Sequence, residues 1–249
     1  MHRKVHIKIA KALSKKLCLT SEQERIFLKA IVEPDKWRLR NPKSKHHYLK
    51  YYTILDHVIA ARSNLLRGEN STCLWRLGIA LHFIQDAHVP SPRTKYRQRM
   101  HASLEKRIES LSIPEREIDA GFSSSRSSLK FVEEVVSNIK WIYDAETALS
   151  KATRVSAEIV AAVYGPREPP DSLPENYRIM EKCHNKRVLK ASVISGLSLI
   201  TGGFLSFAVN NGFLLFLFLF TPILVFSALV WNDKKFYEIK REAEWYGIG

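Results

Sequence analysis

Apolar residues recur at helical spacing through most of the chain, then fuse into one long apolar run near its end. The opening stretch VHIKIAKAL sets Val5, Ile9, Ala12 and Leu13 along one stripe, with Lys4 and Lys8 off it, and predicts an amphipathic helix over residues 4–18. The same spacing predicts helices over 21–32, 47–67, 71–89 and 98–111. Beyond the Ser-rich break GFSSSRSS at 121–128, two more are expected over 129–143 and 145–164. EIVAAVYG could be a strand by composition, but it continues the helical spacing of Ala148, Ala152, Val155 and Ile159. The expected fold class is therefore all-α: a multi-helix domain over 1–164, followed by a linker over 165–190 that opens with the semi-rigid GPREPPDSLP.

No residue over 191–231 is charged. At about 1.5 Å per residue the run is too long for one straight crossing of a roughly 30 Å hydrocarbon core, and it divides at Asn210, Asn211 and Gly212. ASVISGLSLITGGFLSFAV and FLLFLFLFTPILVFSALVW each have about the length of a spanning helix, so a C-terminal transmembrane helical hairpin is expected, with a tail over 232–249. Lys182, Lys186, Arg187 and Lys190 precede the hairpin and Lys234, Lys235, Lys240 and Arg241 follow it. By the positive-inside bias, a two-span protein of the cell membrane is expected, with its N-terminal domain and C-terminus cytoplasmic.

The charge balance fits such a neighbour without choosing it: 39 Lys and Arg against 25 Asp and Glu give +14, which favours anionic lipid headgroups, nucleic acid, or both. The N-terminus MHRKVHIKIAKALSKK carries charge throughout and has no apolar core of a secretory signal. Cys18, Cys73 and Cys183 are odd in number and far apart, which argues for reduced thiols.

Chemistry is concentrated at the other end. Eight of nine histidines fall within the first 101 residues, and two i,i+4 pairs, His82 with Asp86 and His101 with Glu105, can each grip one cation from a single helix face. His82 and Asp86 sit in LWRLGIALHFIQDAHVPSP, where the surrounding residues are so apolar that the helix should run through a core. An ionised, unpaired Asp86 there would cost several kcal/mol. A divalent metal removes that cost, although the pair can also satisfy each other or nearby backbone. His6 shares its helix with Lys4 and Lys8, which leaves ligation and a surface role both open. His46 and His47 follow KSK and suit a basic loop, Asp35 in EPD suits a helix-ending turn, and His57 suits helix packing.

Taken in order, VHIKIAKAL, EPDKW, KHHY, LGIALHFIQDAHVP and MHASLE resemble the zinc-dependent phospholipase C family and the related zinc-dependent single-strand nucleases over about residues 1–108. That resemblance implies a phospholipase C-like helical domain holding one to three Zn²⁺ ions. It implies as metal ligands His6, Asp35, His46 or His47, His82, Asp86, His101 and Glu105, with Asp35 also a general base. Two positions depart from the family. Its histidine two residues after the proline that closes the central helix is here Pro92, and its N-terminal tryptophan lies farther from the first histidine than Met1 lies from His6. His88 could replace the missing histidine only if the backbone turned it, since on a continuous helix it points well away from the face of His82 and Asp86.

The activity implied is a membrane-anchored, metal-dependent phosphoesterase that hydrolyses a phospholipid or other phosphate ester with a zinc-bound hydroxide. Imidazole and carboxylate together suit Zn²⁺ better than Ca²⁺ or Mg²⁺. Membrane lipids are the expected partners. The alternatives are a zinc-dependent nuclease acting on nucleic acid, and an inactive membrane protein that keeps metal for stability.

Overall fold

The computed structural model describes residues 1–40, 50–90, 95–166, 168–209, 227 and 233–248. His46, His47, Pro92, the Asn210–Gly212 turn and nearly all of the second expected span lie outside them. The described residues form helices and no strand, so the all-α expectation holds for them. In chain order these are α1 (Arg3–Lys16), α2 (Ser21–Ile31), α3 (Glu33–Arg40), α4 (Tyr51–Leu66), α5 (Asn70–Ala87), α6 (Lys95–Ser110), α7 (Glu115–Ser124), α8 (Leu129–Ser137), α9 (Ala145–Tyr164), α10 (Leu173–Val209) and α11 (Lys234–Trp245).

Local chemistry fixes several of their ends. Thr20 and Gln23 make a reciprocal capping box at α2, Ser128 accepts from Phe131 N at α8, and Asp144 accepts from Thr147 N at α9. Two helices differ from the sequence reading. The EPD segment opens α3 instead of ending a helix, because a proline in the first turn gives up only an N–H that had no partner there. Residues 115–124 are helical despite Gly121 and two serines, since Gly121 lies so close to α9 that a Cβ on it would meet Ala157 Cβ at 2.6 Å. Tertiary contact overrides propensity at this point.

The chain divides into two compact units, one comprising Met1–Glu168 with Trp245–Gly247 and the other Pro169–Glu244 with Ile248–Gly249. In the first unit α5 is the central element, and every residue from Leu77 to Ala87 is buried. Such all-round burial requires neighbours on several sides, supplied by α1, α2, α4 and α9. Against α2 the approach is close: a Cβ on Gly78 would lie 2.7 Å from Ala30 Cβ and 3.0 Å from Ile31 N. Gly78→Ala should therefore cost about 1–3 kcal/mol by overpacking, read as a lower urea midpoint with an unchanged m-value.

The membrane expectation is corrected. Among the described residues no helix is long and apolar enough to cross a membrane, which overturns the transmembrane hairpin over 191–231 and the two-span cell-membrane placement with cytoplasmic termini. The first expected span is part of α10, which runs without a break from a half rich in charge (Glu175, Arg178, Glu181, Lys182, Lys186, Arg187, Lys190). Lack of charge over 191–201 is also not an unbroken apolar surface, because Ser192, Ser195, Gly196, Ser198 and Thr201 alternate there with Val193, Ile194, Leu197, Leu199 and Ile200. Within this second unit Asp233 anchors α10 to the start of α11. It accepts from Arg187 Nη1 at 2.8 Å and from His184 Nδ1 at 3.2 Å, while the His184 ring stacks on Phe236.

A candidate metal centre on the central helix

Three of the expected ligands meet in the core of the first unit. His6 from α1 and His82 and Asp86 from α5 each offer a ligand atom, and these atoms lie within 4.8 Å of one another. The two histidines are fully buried and Asp86 is 1 % exposed. The group could hold a metal ion.

The rings are held in a particular orientation. His82 Nδ1 donates to the Ile31 carbonyl at 2.8 Å, which leaves Nε2 facing Asp86 Oδ2 at 3.4 Å. His6 Nδ1 bonds Gln85 Oε1 at 2.7 Å, and its Nε2 lies 3.1 Å from Asp86 Oδ1 and 3.0 Å from the Met1 carbonyl. Gln85 is held in turn by its Nε2 donating to Ser156 Oγ on α9. In both rings Nδ1 faces a carbonyl oxygen, so Nε2 is the nitrogen turned toward the carboxylate. This is how metal-binding imidazoles are commonly oriented. The rings stack with centroids 4.3 Å apart.

A second pair adjoins the first. His101 and Glu105 on α6 repeat the arrangement, with His101 Nδ1 donating to the Pro90 carbonyl at 2.9 Å and Nε2 3.3 Å from Glu105 Oε2. Between the pairs lies the Met1 ammonium, bonded to Asp86 Oδ1 and 3.1 Å from Glu105 Oε1. A cation thus already occupies the point where the buried Asp86 carboxylate and the partly buried Glu105 carboxylate converge.

The electrostatics follow. Burial works against charge on Asp86, but the Met1 ammonium, His82 and His6 outweigh it and hold the carboxyl well below the ordinary carboxylate range. Burial likewise opposes charge on the Met1 amine, and Asp86 and Glu105 overcome it, raising its pKa. For His82, burial and then the His6 ring push the pKa down, while Asp86 and Asp35 pull it back. His82 is therefore biased toward the neutral form that a metal requires. Burial raises Glu105, but the His101 hydrogen bond and the Met1 ammonium hold it at about 2.

Glu105 in the metal-free chain therefore favours folding fully above its unfolded pKa near 4.5. That contribution fades as the pH falls toward 2. Thermal melts of the chelated protein should show Glu105→Gln losing stability relative to the parent at pH 6 and converging with it near pH 2.

The other sequence candidates fall as follows. Asp35, half-buried in the first turn of α3, is near enough to act electrostatically on His82. His46 and His47 lie outside the described residues. His57 stands apart on α4, where burial and Arg76 lower its pKa. His88 caps α5 with Nδ1 bonded to the Ile84 carbonyl and is not part of the cluster. Gln85, which orients His6, escaped the sequence reading. An amide beside Asp86 carries no ligand signal of its own, and its role becomes visible only once α1 is packed on α5.

Comparison of the chain with protein-family models, with curated proteins and with solved structures gave no match in any of the three. Fold and site together define a helical protein with a buried two-histidine, one-carboxylate centre.

Proposed function

We propose that the protein is a metal-dependent phosphoesterase resembling the zinc-dependent phospholipases C, with Zn²⁺ bound by His6, His82 and Asp86. The observation that carries this reading is the convergence of two fully buried, carbonyl-oriented imidazoles on one buried carboxylate. A satisfied core pair would need only one of the rings. The donor set, two imidazole nitrogens with a carboxylate, suits Zn²⁺. The ammonium found between Asp86 and Glu105 is consistent with a site shaped for positive charge. Asp35 and the His101–Glu105 pair border this centre and would extend it to further ions.

Zinc would supply Lewis acidity to a transferring phosphoryl group and hydroxide at neutral pH. The chain's own contribution is definable apart from it. Ile31 and Gln85 orient the two rings, and Asp35 would be the carboxylate that takes a proton.

The test is elemental analysis of the purified full chain, together with hydrolysis of bis(p-nitrophenyl) phosphate. The expected result is stoichiometric zinc and activity that chelation removes, with both lost in His82→Ala and both kept in His57→Ala. A chain that takes up no transition metal, or equal losses in the two variants, would overturn the reading. Single-stranded DNA as a parallel substrate separates a nuclease from a phospholipase-type enzyme.

A further inference from the structure

At the end of α5, where His88 lines it, the first unit holds a cavity of about 730 Å³. None of its lining residues belongs to the metal cluster. Its walls are tied in place by specific bonds. Ile142 N donates to the His88 carbonyl at 2.9 Å, fastening the 138–142 segment to the end of α5. The Ser-rich segment, a break in the sequence pattern, is pinned along α9 by Ser125 Oγ to the Glu158 carbonyl at 2.8 Å and Ser127 Oγ to the Ala162 carbonyl at 3.0 Å. Such side-chain bonds build a cavity before any ligand arrives, and its volume lies within the roughly 300–1,000 Å³ of small-molecule sites.

The lining is chemically two-sided. Arg126, Lys140 and Lys151 bring three cations to it, and among the described residues none of them pairs with a carboxylate. Of the two facing acids, Glu158 is engaged by Ser124 Oγ at 2.9 Å and Arg154 Nε at 3.2 Å, which leaves Glu134 against the three. Phe131 and Trp141 supply apolar ring surface. His88, 2 % exposed and with Nδ1 already bonded to Ile84, has Nε2 left for a ligand.

We propose that this cavity binds an amphipathic organic anion, a carboxylate or phosphate monoester with an apolar body. The cations would hold the head, and the rings and aliphatic wall would hold the body. Nothing in this site depends on the metal centre.

Isothermal titration of the chelated full chain with adenosine monophosphate and with decanoate tests it. Saturable one-to-one binding of either is the expected result, the first pointing to a nucleotide-type ligand and the second to a lipid-derived one. Lys151→Glu and Trp141→Ala, both at exposed side chains and so harmless to folding, should each weaken it at least tenfold, while His82→Ala should not. Absence of binding by both compounds, or binding unchanged in Lys151→Glu and Trp141→Ala, would overturn the proposal. The His82→Ala arm keeps this outcome separate from the fate of the metal reading.

Discussion

Under the proposed metal-centre reading Asp86→Ala should remove both metal and activity, and it should in any case destabilise the first unit by about 3–5 kcal/mol. The side chain accepts from the Met1 ammonium and faces His6 Nε2 and His82 Nε2. Its loss leaves a buried cation and two buried imidazoles without their common acceptor. Asp86→Asn separates the two effects. It keeps the shape and one acceptor oxygen, so the melting temperature should fall less than for Ala, yet a neutral amide should not hold Zn²⁺ between two imidazoles. Full metal content in Asp86→Asn would show that the cluster is a structural hydrogen-bond network only.

The second large effect is expected at Arg62, far from the cluster. This guanidinium is fully buried on α4 and donates to four carbonyls: Val163 at 2.6 Å, Gly165 at 2.9 Å, Pro166 at 2.6 Å and Trp245 at 3.2 Å. It also lies over the Trp245 ring, 5.5 Å from the centroid. Arg62→Met fills a similar volume but satisfies none of those oxygens. A loss of about 3–5 kcal/mol is expected, or roughly 10 °C in Tm for a unit of this size. Lys should recover little, because one ammonium cannot reach carbonyls arranged around a planar fork. A Tm within 2–3 °C of the parent, roughly the shift about 1 kcal/mol produces, would show that water replaces the guanidinium at these oxygens.

What the sequence disclosed was periodic. Helix α9 was legible almost to the residue, and α5 was legible as a core helix because apolar residues surround its whole circumference. The i,i+4 pairs were visible because helix geometry alone brings their side chains together. His6 was ambiguous between surface and site, and no local pattern could decide it. What buries it is the packing of α1 on α5, a contact between residues 79 apart. The helix at 115–124 was missed for the same reason in reverse: Gly and Ser argued against it, and a fit against α9 made it. The membrane hairpin failed differently. Its argument rested on absent charge and on span length, and it took Lys182, Lys186, Arg187 and Lys190 as flanks outside a span, whereas they belong to the same continuous helix as the uncharged run.

Gly78 has a reach longer than its own contact. It lets α5 settle onto α2 at Ala30, and one turn further along the same helix His82 finds the carbonyl of the next residue, Ile31. The distance between two helix backbones thereby decides which nitrogen of an imidazole carries the proton. A methyl group at position 78 would act as a spacer, lifting Nδ1 from its acceptor and freeing the ring to turn over. The Nε2 edge that the ring turns toward Asp86 is thus aimed by a residue that has no side chain.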